Sequence, residues 1–220
     1  MKGKGEAVNA DLLVIPPPDS LLNMDCMELM KLLPDDYIDL AIVDPPYGIG
    51  KRILGTWGKK TGMNQAIRWD YAPGADYFAE LFRVSKNQII WGGNYFLDYL
   101  GQTDGFIIWD KMNGTNPMTD AELAWTSYKK YNKIFRMHHF SEGYDKKIHP
   151  TQKPAKLYRW ILKNYAEPGN KILDTHVGSG SSLVACKELG YNYWGTEIDK
   201  EYYEGAKARI EKAFRQYELL

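Results

Sequence analysis

The chain has 220 residues, 44% of them hydrophobic, with 28 Lys and Arg balanced by 28 Asp and Glu. That length and apolar content suit one α/β core in a single domain spanning 1–220, and a net charge of zero argues against a protein that grips nucleic acid with its whole surface. Cys26 and Cys186 lack metal-ligand or redox spacing, no apolar run is long enough for a membrane helix, and the first residues lack a signal-peptide core, so a reducing, cytoplasmic location with no metal and no membrane is expected.

Pro16-Pro17-Pro18 is a stiff lead-in to Leu21-Leu22-Asn23, and Asp25 followed by Glu28 reads as a capping box for a helix through Leu29, Met30 and Leu33. Ile38 to Val43 is an apolar strand that stops at Asp44-Pro45-Pro46-Tyr47. Ala75 to Val84 has Phe78, Leu81 and Phe82 at helical spacing, and Gln88 to Trp91 reads as a buried strand closed by Gly92-Gly93. Gly105 to Asp110, Glu122 to Tyr128 and Ile134 to Phe140 read as further strands, the last two alternating enough for an antiparallel edge. Pro154 opens a helix carrying Leu157, Trp160, Ile161 and Tyr165, ended by Pro168-Gly169.

A second constellation follows. The strand Lys171 to Asp174 runs into a loop with Gly178 and Gly180, and Ser181 or Ser182 suits the cap of a helix through Leu189. The two glycines permit close backbone approach, and the helix N-terminus offers N–H groups to a carboxylate. The spacing D-x-x-x-G-x-G is not the dinucleotide fingerprint, which disfavours a nucleotide-dependent oxidoreductase. Tyr191 to Thr196 is the next strand, and Glu197 at its end is placed to take two ribose hydroxyls.

The corner at Asp44 has a chemical reading of its own. An exocyclic nucleobase nitrogen is a poor nucleophile because its lone pair is delocalised. The Asp44 carboxylate and the Pro45 carbonyl can each accept one N–H and draw that nitrogen toward a pyramidal shape, while Tyr47 stacks on the ring. Proline fixes the turn and leaves no orphan N–H beside the amine.

Asp44-Pro45-Pro46-Tyr47, the loop Asp174 to Gly180 and the segment His149-Pro150-Thr151-Gln152-Lys153-Pro154 resemble the S-adenosylmethionine-dependent DNA amino-methyltransferases, in the class where the catalytic tetrapeptide precedes the cofactor loop. The resemblance runs from about Leu21 to Ile210. It implies a Rossmann-like sheet of seven strands, mostly parallel with one antiparallel edge strand, and helices on both faces. It makes Asp44, Pro45, Pro46 and Tyr47 the catalytic and base-stacking residues. Asp174, Gly178, Gly180 and Ser181 would surround the methionine part of S-adenosylmethionine, Glu197 its ribose, Thr151 and Lys153 its carboxylate, and Asp25-Cys26 its adenine; for Asp25 the helix-capping reading stands beside this one. Thr175-His176 departs from the Pro and bulky aromatic usual there, so His176 is either a cofactor contact, acid-sensitive in mild acid, or a loop histidine.

The implied activity is methyl transfer to the N6 amino group of a flipped adenine, since many cytosine-N4 relatives begin the tetrapeptide with Ser. Cytosine-N4, an RNA adenine, and an inactive nucleic-acid-binding subunit are the alternatives. The partner is duplex DNA. Lys51, Arg52, Lys59, Lys60 and Arg68 in the loop 50–72, which has no acid from Lys51 to Trp69, and Lys129, Lys130, Lys133 and Arg136 within the loop 129–148, are the expected phosphate contacts. No separate large recognition domain fits, and a homodimer is expected by family analogy, with restriction-modification among the roles such enzymes serve.

Overall fold

A computed structural model describes residues 14–49, 70–114, 119–138, 148–149 and 151–217. Eight strands form one sheet: β1 (Ser20–Leu22), β2 (Leu40–Val43), β3 (Gln88–Trp91), β4 (Phe106–Asp110), β5 (Ala121–Thr126), β6 (Lys133–Arg136), β7 (Lys171–Asp174) and β8 (Asn192–Thr196), in the order β1-β8-β7-β2-β3-β5-β4-β6. Its helices are α1 (Cys26–Leu32), α2 (Ala75–Val84), the short α3 (Leu97–Leu100), α4 (Ala155–Tyr165), α5 (Ser181–Leu189) and α6 (Lys200–Tyr217).

The strands explain the layering. Successive side chains point to opposite faces, so Leu40 and Ile42 enter one core with α4, α5 and α6, while Ala41 and Val43 enter the other with α1, α2 and α3. Ile172 and Leu173, and Tyr193 and Trp194, divide the same way. A strand buried on both faces reads as an unbroken apolar run, as β2 does.

The mostly parallel sheet with helices on both faces matches expectation. Two details differ. The Ser20–Leu22 segment pairs with β8 and adds an eighth strand. The antiparallel strand, β5, lies inside the sheet between β3 and β4, and the last edge strand, β6, runs parallel to β4. Alternation in 133–136 reports an edge exposed on most sides, not strand direction, while Ala124, Trp125 and Thr126 are buried as an interior strand requires.

Topology locates the crevice. From β2 the chain proceeds through α2 to β3 on one side; from β7 it proceeds through α5 to β8 on the other, and β2 and β7 are paired in parallel, Leu40 opposite Ile172 and Ala41 opposite Leu173. Where the winding direction reverses, the loops beyond the strand ends diverge and leave room for a ligand. Asp44 follows β2 and Asp174 ends β7.

Candidate active site

The segment after β2 turns at Asp44 and brings the Tyr47 hydroxyl back to donate to Asp44 Oδ1 at 2.6 Å. The Tyr47 ring stacks on Tyr95, with centroids 5.1 Å apart, and meets the edge of Phe96. Gly92, just after β3, has a φ of +66° and a Cβ there would overlap the Tyr47 ring, so glycine is required twice over. Burial, and then the neighbouring Asp44 charge, hold the Tyr47 hydroxyl well above its ordinary pKa, so it stays protonated and donates. The ends of the basic loop are tied beside this corner, because Gly48 N donates to Asp70 Oδ1 at 2.9 Å.

Lys153, just ahead of α4, is buried and its ammonium donates to Asp44 Oδ2. It also pairs with Glu122 Oε2 of β5 at 3.0 Å, and Glu122 Oε1 pairs with Lys111 Nζ at 2.5 Å. Burial alone would raise the Glu122 pKa, but Lys153 and Lys111 outweigh it and hold the carboxyl down at about 2. Burial likewise disfavours the Lys153 cation, and Asp44 and Glu122 together keep its pKa above the ordinary lysine value. Sequence reasoning missed Glu122 and Lys111. The one signal was an acid within an otherwise apolar strand, which has no meaning until its cation is known.

Across the crevice, Asp174 is buried at 2% exposure. It accepts His176 N–H at 3.0 Å and the Ser182 hydroxyl, and burial nevertheless pushes its pKa up to about 7. Glu197 receives Gly178 N–H at 2.8 Å and Asp199 N–H at 2.9 Å; burial raises its pKa against those bonds. Gly178 and Gly180 have φ of +53° and +79°, as the loop reading requires. Met24, Asp25, Cys26, Thr175, His176, Thr196, Glu197 and Ile198 line a cleft of about 100 Å³ at the ends of β1, β7 and β8. Asp25 both caps α1, accepting Met27 N–H at 2.7 Å, and lines this cleft, so its two readings are compatible. Cys26 beside it is a half-buried thiol with its pKa raised to about 12, by burial first and Asp25 second.

His176 also lines the cleft, with its Nδ1 2.9 Å from the Thr175 hydroxyl, which lies 2.6 Å from the Tyr77 hydroxyl. Burial lowers its pKa to about 4, so the mild-acid sensitivity expected from an ordinary histidine moves to stronger acid.

Several expected residues are placed elsewhere. Ser181 lies against Ser179 and Arg209 of α6, and the α5 cap is Gly180 with no side-chain bond, because Ser182 turns inward to Asp174. Thr151 is exposed and contacts His149 Nδ1. Lys129, Lys130 and Lys133 follow the far end of β5. Since that strand is antiparallel, its exit lies about 17 Å from its start at roughly 3.4 Å per residue, at the opposite end of the sheet from Asp44. Lys130 there donates to the Asn164 carbonyl at the end of α4. Arg136, pairing with Asp110, is the basic residue of that set at the Asp44 end of the sheet. Lys51, Arg52, Lys59, Lys60 and Arg68 lie outside the described residues. Among the described residues no cluster of possible metal ligands occurs, and no helix is long and apolar enough to cross a membrane.

A family model described as DNA methylase, of the N6/N4 type, matches residues 56–208, well over half of the chain. The chain belongs to the N6/N4 DNA methylase family. Its similarity extends to the type II methyltransferase M.HpaI of Haemophilus parainfluenzae, 27% identical over 245 residues that cover 91% of this chain and 76% of that protein. M.HinfI of Haemophilus influenzae is likewise 27% identical, over 87% of this methylase and 68% of its own length. The fold is shared with the M1.HpyAVI-SAM complex, with a TM-score of 0.62 and 24% identity over 86% of this chain and 98% of that one. The cytosine-N4-specific PvuII DNA methyltransferase has it too, with a TM-score of 0.58 and 16% identity over 90% and 91%. The family match begins beyond the Asp44 corner, so the reading of that corner in this methylase stands on its geometry.

Proposed function

We propose that this methylase transfers a methyl group from S-adenosylmethionine to the N6 amino group of an adenine extruded from duplex DNA. The observation that carries the reading is the meeting of Asp44 and Asp174 at the ends of the paired strands β2 and β7, where the sheet reverses its winding. The cleft fits the cofactor in kind: carboxylates of Asp25 and Glu197 beside an apolar wall, and a loop whose positive-φ glycines keep side chains out of the way. Asp25, Cys26, His176 and Glu197 would hold its nucleoside, and Asp174, Gly178 and Gly180 its methionine part. When bound, that cofactor supplies a methyl group made electrophilic by a positive sulfur.

The chain's own residues do the rest. Asp44 and the Pro45 carbonyl accept the two amine N–H groups, and Tyr47 stacks on the base. The amine that receives the methyl group would be left cationic and would release a proton to Asp44 or to water. In the free protein Asp44 Oδ1 is taken by the Tyr47 hydroxyl, so the amine must displace that bond on entry. Extruding the base costs a few kcal/mol, and the alignment of nitrogen, carbon and sulfur is the main source of rate. Arg136 and the basic segment anchored at Gly48 and Asp70 are the phosphate contacts of this reading.

Cytosine-N4 is the second reading, favoured by the fold shared with the cytosine-N4-specific neighbour; Asp rather than Ser at position 44 favours adenine. Incubating the protein with labelled S-adenosylmethionine and mixed-sequence duplex DNA, then analysing nucleosides, tests it. N6-methyladenine is the expected product; N4-methylcytosine alone would select the second reading, and unlabelled DNA would reject both. Mass measurement in solution tests the homodimer.

A further inference from the structure

Lys153 is tied to the amine site, not to the cleft across the crevice. At 3% exposure its ammonium lies between two carboxylates from distant parts of the chain, Asp44 Oδ2 after β2 and Glu122 Oε2 in β5 at 3.0 Å. Glu122 is itself held by Lys111 Nζ at 2.5 Å, and the Lys153 ammonium lies 5.2 Å from the centroid of the buried Trp91 ring. An ammonium has three donors and no acceptor, so with carboxylates on two sides and an aromatic wall its position is over-determined. The Asp44 carboxylate, by contrast, ends a side chain whose last torsion is broad and roughly two-fold. Left alone, it would present its lone pairs over a wide arc.

We propose that Lys153 is the positioning residue of the catalytic carboxylate: it pins Asp44 through Oδ2, so that Oδ1, covered by the Tyr47 hydroxyl until a base arrives, is the oxygen aimed at the target amine. Glu122 and Lys111 brace the lysine from the far side. The inference rests on the methyl-transfer reading above. It gives Lys153 a different task from capture of the cofactor's carboxylate, because two of its donors serve Asp44 and Glu122 and the third faces the Tyr47 hydroxyl at 3.4 Å.

The test is Lys153→Met, alone and combined with Glu122→Gln, which restores the charge balance that the single change upsets. Calorimetry gives the dissociation constant for S-adenosylmethionine, thermal melting gives the fold, and labelled methyl transfer to mixed-sequence duplex gives kcat and KM. The expected result is a kcat lowered about a hundredfold, the scale of a misplaced reacting group. Cofactor affinity should stay within about threefold of wild type, because the lysine does not face the cleft. In the double variant melting should recover while kcat stays low. A folded double variant with wild-type kcat would show that the lysine only props the fold. Weakened cofactor binding with kcat retained at saturation would return it to the cofactor. Wild-type protein that binds cofactor and methylates no DNA would overturn the methyl-transfer reading and this inference with it, a result separable from an active wild type matched by an equally active variant.

Discussion

The two banks of the crevice hold their carboxylates in opposite ways. On the β7–β8 bank, Asp174 and Glu197 are satisfied by backbone N–H groups and a serine hydroxyl, and burial leaves both with raised pKa values, Asp174 at about 7. On the β2–β5 bank, Asp44 and Glu122 share the buried Lys153 ammonium, Lys111 adds a second cation to Glu122, and Glu122 is held down at about 2. Dipoles leave a net negative site and cations leave a balanced one. A sulfonium cofactor carries the positive charge that the first bank lacks, whereas a neutral nucleobase suits the second. The same residue type is thus set for charge attraction on one side and for hydrogen-bond acceptance on the other.

Removing the acceptor on the balanced bank should have the largest effect. Asp44→Ala should lower kcat on the order of a thousandfold, as loss of a precisely aimed electrostatic partner does, with cofactor affinity nearly unchanged. Turnover undiminished in Asp44→Ala, measured as labelled methyl transfer, would remove this residue from the chemistry. The counterpart on the dipole bank is Glu197→Gln. It keeps an acceptor for Gly178 N–H or Asp199 N–H but loses the charge, so the cofactor dissociation constant should rise about 10- to 100-fold, the worth of one charge-assisted bond. If kcat at saturation falls instead, with affinity intact, the two banks do not divide the work as described.

Much of this was legible in the chain. The unbroken apolar run before Asp44, the glycine loop after Asp174 and the acid ending the next strand each carry a local signature, and strand ends in a parallel sheet converge by topology. What was not legible depends on long-range pairing. Nothing local distinguishes an antiparallel strand inside a sheet from one at its edge, and with β5 misplaced, the position of Lys129, Lys130 and Lys133 followed it. Ser181 and Ser182 are equivalent as cap candidates in sequence; only the buried Asp174 beneath the helix decides which turns inward. Lys153 belonged to a recognisable motif, yet its partners, 109 positions upstream and in β5, could not be read from it.

A smaller effect separates the banks by pH. His176 titrates near 6.5 when unfolded and at about 4 in the fold. A histidine with a depressed folded pKa contributes stability that is fully present above about 6.5 and lost as pH falls toward 4. His149, lowered to about 4 by burial, loses stability over the same window, and Asp174, raised to about 7, gains it as pH falls. His176→Phe should therefore melt a few degrees higher relative to wild type at pH 4.5 than at pH 7, at roughly 2–4 °C per kcal/mol for a chain of this size. A melting difference constant across that range would mean the imidazole is not an acid-sensitive group.

The smallest expected effect contrasts the two ends of the sheet. Lys129, Lys130 and Lys133 are exposed cations, and on charge alone they would be expected to meet phosphate. The β5–β4–β6 register sets them at the end away from Asp44, and Lys130 is spent on the Asn164 carbonyl and on the rings of Tyr128 and Tyr165. On the proposed reading, a duplex that delivers a base to Asp44 lies across the other end. Replacing all three with alanine should leave duplex affinity within about twofold and the slope of log affinity against log salt unchanged, whereas three lost phosphate contacts would reduce that slope by about 2.7. Arg136→Ala, at the catalytic end, is the internal control and should reduce it by roughly one. A flatter slope in the triple variant would place DNA along the far edge, and the crevice between β2 and β7 could not then be where the base is presented.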